Sequence, residues 1–230
     1  MKFDEKTSNI LSHLKKKGFI TKLIGPVKEG KESVVYYSKD AEGNEIAIKI
    51  YLYEASMFKT LMKYVKPDTR FFSTKRRRRQ SIINWVRKEF FNIKRTLNAG
   101  INNVPVPIKI LENIFIMSFI GKNGLAAPLL KNYTFEDDKQ TKDAFLACKK
   151  FIKDLYKKAG LVHADLSEYN ILVEDGKLVF IDFSSALTKN SVEAINFLKK
   201  DVSNVFKFFK NKGVNTGSEE LFVKSVIKNV

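Results

Sequence analysis

The stretch from Ile20 to Tyr53 narrows most sharply what this chain can become. Val34-Val35-Tyr36-Tyr37 and Ile46-Ala47-Ile48-Lys49-Ile50 are dense in β-branched and aromatic side chains, which suit an extended backbone. Gly25-Pro26, Gly30 and the run Asp40 to Asn44 punctuate them with turn residues, so the segment reads as three antiparallel strands. Ile10 and Leu14 give the preceding segment a helical face that ends at Gly18. Beyond Tyr53 the apolar period changes. Ile82, Val86, Ile93 and Leu97 recur at helical spacing from Ser81 to Ala99 and stop at Gly100. Ile108 to Ile110 and Asn113 to Phe119 read as a hairpin that completes the sheet. A second long helix, Lys139 to Ala159, carries Phe145, Cys148, Ile152 and Leu155 on one stripe, and Gly160 ends it. Ile171 to Val173 and Leu178 to Ile181 form a hairpin about the turn Glu174 to Lys177, and helix returns from Ser191 to Lys212. The class is therefore α+β. A sheet lobe with one long helix (1–120) is followed by a connector (121–124) and a mainly helical lobe (125–230).

Charge restricts the partners. Subtracting 25 acidic from 42 basic side chains leaves +17, an excess that folding does not require and that suits a polyanion such as nucleic acid. The densest run, Lys75-Arg76-Arg77-Arg78-Arg79, falls in residues 64–80, which lack periodicity and read as a mobile surface loop able to meet RNA phosphates. One cysteine, Cys148, and two histidines exclude an internal disulfide and the usual structural zinc site, and point to a reducing compartment. No apolar run approaches the ~18 residues of a membrane span, and the charged N-terminus does not read as a secretory signal. The expected location is cytoplasmic, with no membrane partner.

The chemistry concentrates in His163-Ala164-Asp165-Leu166-Ser167-Glu168-Tyr169-Asn170, between a helix end and a hairpin. If that hairpin is antiparallel, its open end sets Asn170 beside Asp182. An amide oxygen and a carboxylate suit Mg²⁺, which completes its shell with waters and phosphate oxygens. Asp165, five residues before Asn170, is placed to accept a proton from an attacking hydroxyl. A plainer reading makes Asp165 and Asn170 loop caps that bond local backbone. Lys49 lies mid-strand on the face opposite the isoleucines, and Glu89 lies on an inward helical stripe where a carboxylate needs a cation. The two make a natural pair that would hold Lys49 toward nucleotide phosphates.

Gly25, Gly30 and Lys31 match the glycine–lysine spacing of P-loop nucleotidases, but position 32 is Glu and a β pattern follows where that loop needs a helix. A phosphate loop between two strands fits better, with Gly30 allowing close backbone approach and Ser33 donating from hydroxyl and amide. The order phosphate loop, strand lysine, helix glutamate, connector, Asp165 with Asn170, then Asp182 is that of protein kinases.

In these residues the chain resembles the Rio family of atypical serine/threonine protein kinases. The likeness rests on Gly30-Lys31-Glu32-Ser33 with Val35-Tyr36, Ala47-Ile48-Lys49, Lys88-Glu89-Phe90, Met117 to Gly121 with Ala127-Pro128, Val162 to Asn170, and Ile181-Asp182-Phe183. The stretch His163 to Asn170 has the form typical of the first, Rio-one subfamily. The resemblance implies a trimmed, two-lobed kinase fold over 1–230, with ATP and Mg²⁺, or Mn²⁺, as cofactors. It implies Asp165 as catalytic base, Asn170 and Asp182 as metal ligands, and Lys49, partnered by Glu89, at the phosphates. The backbones of Ser118 and Ile120 would hold adenine beneath Met117. It further implies phosphate transfer to protein hydroxyls or to Asp182 itself, ATPase activity, and action on a pre-ribosomal small-subunit particle, with rRNA met by Lys75 to Arg79. Ser73 or Ser81 would be autophosphorylated. Val34, Ser118 and Ser185 depart from the family's usual Asn or Asp, Glu, and Gln. Two other readings remain: an RNA-binding assembly scaffold that uses ATP only as a conformational switch, and a small-molecule phosphotransferase, against which Leu166 to Tyr169 speak.

Overall fold

The computed structural model describes residues 3–30, 32–53 and 75–228, with side chains from Arg79 onward in the last stretch. The chain divides into two compact units, one formed by residues up to Phe90 with Val106–Ala126, the other by Phe91–Pro105 with the residues from Ala127 on.

In the first unit five antiparallel strands form the sheet: β1 (Gly25–Glu29), β2 (Ser33–Lys39), β3 (Glu45–Tyr51), β4 (Pro107–Leu111) and β5 (Ile114–Ser118), in spatial order β1-β2-β3-β5-β4. The two-residue period of β3 sends Ile46, Ile48 and Ile50 to one face, where they join Val34, Tyr36, Ile114 and Ile116. Helix α1 (Glu5–Lys16) covers that face through Ile10 and Leu14, and starts where the Asp4 carboxylate accepts the Thr7 amide at 2.9 Å. Val34 is thus a core residue, turned away from the face that carries Lys49. That other face carries Ala47, packed with Tyr37, Phe119, Val27, Val35 and Met117.

Helix α2 (Lys75–Asn98) begins earlier than the apolar period indicates. Lys75 to Gln80, expected within a mobile loop, are helical, and so is Ser81; residues 64–74, including Ser73, lie outside the described residues. The physical reason is propensity: Lys, Arg and Gln are good helix formers and can extend a helix beyond its apolar stripe. Arg79 is also fixed from outside the helix, its Nη2 2.7 Å from Glu112 and its guanidinium 4.5 Å from the Tyr53 ring centre. Residues 121–124 form most of a small hairpin, β6 (Gly121–Lys122) with β7 (Leu125–Ala126). Its turn is tied to β3 by Glu45, whose Oε1 accepts the Gly124 amide at 3.0 Å and the Tyr37 hydroxyl at 2.6 Å.

In the second unit α3 (Asp138–Asp154) continues as a π-helical turn, Leu155–Ala159, and stops at Gly160 with φ 64°. The strand pair β8 (Leu161–Val162) and β11 (Leu187–Thr188) flanks the hairpin of β9 (Ile171–Glu174) and β10 (Lys177–Phe180), whose turn residues Asp175 and Gly176 have φ 47° and 73°. Helices α4 (Ala194–Asn211) and α5 (Glu219–Ile227) follow. The core gathers Phe145, Phe151, Phe180, Phe206 and Phe209, with Phe151 stacked on Phe180 at 3.6 Å between ring centres. Among the described residues no helix is long and apolar enough to cross a membrane.

Candidate active site

In the first unit β3 and α2 bring Lys49 and Glu89 together. Lys49 Nζ lies 2.8 Å from Glu89 Oε1, with the residues 6% and 1% exposed. An ion pair this dry holds only when its partners are well bonded, because each charge has lost most of its hydration. Glu89 Oε2 accepts a second hydrogen bond, from the Tyr51 hydroxyl. Gly30 closes the β1–β2 turn, its amide donating to the Ser33 carbonyl at 3.0 Å, and Ser33 opens β2 half-buried. Lys31 lies outside the described residues. Met117 lines the apolar cluster around Ala47. Ser118 has its N–H and hydroxyl committed to Val106, the first donating to the Val106 carbonyl and the second accepting the Val106 amide, both at 2.9 Å. Ile120, half-buried, precedes β6.

In the second unit the segment after β8 holds the remaining groups. Ile181 N donates to the Asn170 carbonyl at 3.0 Å, one step beyond the last β9–β10 ladder pair, so Asn170 and Asp182 stand at the open end of the hairpin. Asn170 Nδ2 donates to the Asp165 carbonyl at 2.8 Å and to Asp165 Oδ2 at 3.1 Å. The amide nitrogen is thereby spent on Asp165, and Oδ1 is the atom left to accept or to ligate. Asp182 has φ 66°, a left-handed conformation that L side chains rarely adopt, and its Oδ1 accepts the Ser184 hydroxyl at 2.7 Å. An amide oxygen with a carboxylate is the hard, all-oxygen set that fits Mg²⁺ better than a softer metal.

Several positioning groups have no counterpart in the sequence reading. Asp201 on α4 is 2% exposed and accepts the amides of Ala164 at 2.8 Å and Leu166 at 2.9 Å, gripping the backbone on both sides of Asp165. Ala164 there is forced to φ 69°. Asn204 adds a bond from its Nδ2 to the Leu166 carbonyl at 2.9 Å. Asn92 Nδ2 donates to the carbonyls of Phe183 at 3.2 Å and Ala186 at 3.0 Å, fixing the chain just after Asp182. His163, by contrast, is read from the sequence as a structural residue that orients the loop by hydrogen bonds; it is buried, with Nε2 3.1 Å from the Ile181 carbonyl and its ring against Phe183.

Two of these groups titrate against each other. Burial pushes the Asp201 carboxyl up to about 7, against the two amides that pull it down. Burial pushes the His163 imidazole down to about 4. From about pH 4 to 6.5 the unfolded His163 binds a proton that the folded one does not, so its contribution to stability is lost as pH falls through that window. Asp201 has the opposite sign, because its folded form holds a proton there that the unfolded form has released. The two slopes offset each other in the wild type. In Asp201→Asn, urea unfolding at stepped pH is expected to show stability rising from pH 4 to 6.5 at up to about 1.4 kcal/mol per unit. A slope no steeper than wild type would contradict this assignment.

With that geometry in place, comparison with known proteins is decisive. The RIO domain matches residues 34–221. The chain belongs to the RIO family of serine/threonine-protein kinases. It is 38% identical over 220 residues to the RIO-type serine/threonine-protein kinase Rio1 of Methanocaldococcus jannaschii, a match covering 96% of this chain and 74% of that one. The Haloferax volcanii protein of the same name is 35% identical with the same coverage. Human RIO1 is 37% identical over 213 residues, 92% of this chain but 37% of the human one, so the RIO chain here spans the shared part of a longer relative. Among solved structures, the Rio2 kinase of Chaetomium thermophilum in its ADP/Mg²⁺-phosphoaspartate complex aligns at TM-score 0.73 and 22% identity, over 95% of this chain and 66% of that one. A second structure of that kinase gives 0.75. These place the fold in the kinase-like α+β class.

Proposed function

We propose that this RIO chain transfers the γ-phosphate of ATP, with Mg²⁺, to a protein hydroxyl or to its own Asp182, and that it serves the maturation of the small ribosomal subunit in the cytoplasm. The observation that carries the reading is the convergence of Asp165, Asn170 and Asp182 at one hairpin end, on a loop gripped by Asp201. Lys49, held by Glu89, meets the nucleotide phosphates as a buried cation; Gly30 and Ser33 give them backbone and hydroxyl donors. Met117, Ser118 and Ile120 receive the base. Asn170 Oδ1 and the Asp182 carboxylate hold Mg²⁺, which neutralises charge developing on the phosphate oxygens. Asp165 takes the proton of an attacking hydroxyl as that oxygen bonds to phosphorus and ADP departs. With Asp182 as acceptor, a carboxylate oxygen makes the bond and no proton need move. The Rio2 complex, which contains a phosphoaspartate with ADP and Mg²⁺, supports this second route.

The test is covalent labelling with γ-labelled ATP. The wild type is expected to acquire an acid-labile, hydroxylamine-sensitive phosphate and Asp182→Asn none; a hydroxylamine-resistant label retained in Asp182→Asn would exclude the aspartyl route. If neither wild type nor Asp165→Ala transferred phosphate while both bound RNA, the scaffold reading would replace the enzyme.

The net charge of +17 supports contact with rRNA through the basic run Lys75 to Arg79. Arg79 is already ion-paired with Glu112, so the other four cations are the ones proposed to meet phosphate. Alanine at 75–78 is expected to flatten the salt dependence of single-stranded RNA binding by up to about 3 in log–log slope, at ~0.7 per phosphate contact, without changing ATP affinity. An unchanged slope would take the run off the RNA surface.

A further inference from the structure

One buried triangle in the first unit does more than the ion pair at its centre requires. The two-residue period of β3 sets Tyr51 on the same face as Lys49. Lys49 Nζ bonds Glu89 Oε1 at 2.8 Å, the Tyr51 hydroxyl bonds Glu89 Oε2, and the Lys49 ammonium lies 5.1 Å from the centre of the Tyr51 ring. Tyr51 and Glu89 are each 1% exposed. A carboxylate held at one oxygen by a flexible lysine can still turn about its terminal torsion, which is soft. A second donor on the other oxygen fixes the plane, and the ring face adds a cation–π attraction to the ammonium. Tyr51 itself is rigidly mounted. Its amide donates to the Asn113 carbonyl at 2.9 Å, and Asn113 Nδ2 returns a bond to the Tyr51 carbonyl at 2.8 Å and reaches Thr7 on α1 at 3.1 Å. Across the β2–β3 ladder, Tyr51 stands opposite Ser33, at the start of the strand that follows the phosphate loop.

We infer that Tyr51 is a positioning residue for nucleotide: its hydroxyl fixes Glu89, and Glu89 in turn holds the Lys49 ammonium where the phosphates of ATP need it. This rests on the proposed function, and it deepens that reading by adding a third member to the lysine–glutamate pair. The selectivity it supplies is for the polyphosphate and not for the base, because the triangle touches the ligand only through Lys49.

The experiment uses Tyr51→Phe, which keeps the ring and removes only the hydroxyl. Affinities for ATP and for adenosine are measured in parallel on wild type and variant, followed by steady-state kinetics. Losing one hydrogen bond to a charged group is expected to weaken ATP roughly tenfold and leave adenosine within twofold. KM for ATP should rise by a similar factor with kcat nearly unchanged, since the lysine–phosphate contact exists before and during transfer. In a Glu89→Met background, which keeps the side-chain length but has no oxygen to accept the bond, the same substitution should add less than twofold, because the inferred action of the hydroxyl runs through that carboxylate. Equal weakening of ATP and adenosine would show a general packing role and overturn the inference; so would unchanged ATP affinity, or a tenfold loss that persists with Glu89→Met. If the wild type bound ATP no better than adenosine, the nucleotide reading itself would fail. If it preferred ATP and Tyr51→Phe preferred it equally, only the role of Tyr51 would fall.

Discussion

Asp165→Ala is expected to lower phosphoryl transfer to a hydroxyl acceptor by about 10²–10⁴-fold while leaving ATP affinity within a few-fold of wild type. The separation follows from placement. Asp165 is held by Asn170 through its own carbonyl and Oδ2, and its neighbours Ala164 and Leu166 are held by Asp201. The loop backbone therefore has anchors that do not depend on the Asp165 side chain, and alanine should leave Asn170 and Asp182 standing at the hairpin end. What disappears is the carboxylate proposed to accept the hydroxyl proton. Single-turnover transfer to a protein acceptor, with ATP titrated separately, measures both quantities. A transfer rate within threefold of wild type would remove Asp165 from the chemistry.

Glu89→Ala is expected to destabilise the first unit by about 3–5 kcal/mol. The substitution removes two buried bonds at once. Lys49, 6% exposed, would lose the carboxylate 2.8 Å from its ammonium, and the Tyr51 hydroxyl would lose its bond to Glu89. Glu89→Gln should cost less, since the amide oxygen can still accept one bond. Urea unfolding of the three proteins gives the ordering directly: wild type, then glutamine, then alanine. Alanine matching wild type within 1 kcal/mol would mean that the pair is not the buried, mutually dependent unit described above.

Much of this architecture is written in periodicity. The alternation of β3 sorts its isoleucines from Ala47, Lys49 and Tyr51, and the structure shows the same two faces. Glu89 stands out because a carboxylate on an apolar helical stripe demands a partner. The same signal exists for Asp201, which lies with Leu198, Val202 and Val205 on one stripe of α4, at +3, +4 and +7 from Leu198, but nothing in one dimension says what a lone buried acid binds. Its partners are backbone amides, and backbone has no sequence signature. The left-handed Ala164 and Asp182 escape for a related reason: Ala disfavours that conformation and Asp merely tolerates it, so no residue type announces it and the surrounding bonds hold it. Lys75 to Gln80 read as loop because a helical period shows only in apolar residues, whereas the start of α2 needs only helix propensity and the Arg79–Glu112 anchor. Helix α5 is short, nine residues, and its apolar positions Val223 and Val226 are too few to stand out.

At the centre of the proposed function is a magnesium nucleotide whose metal Asn170 and Asp182 are proposed to hold. Calorimetric titration of the wild type with ATP, with and without Mg²⁺, and of Asp182→Asn under the same two conditions, addresses it directly. The expected result is that Mg²⁺ tightens ATP binding at least tenfold in the wild type and by less than twofold in Asp182→Asn. ATP binding that ignores Mg²⁺ in the wild type, or a metal enhancement that survives loss of the Asp182 carboxylate, would contradict it.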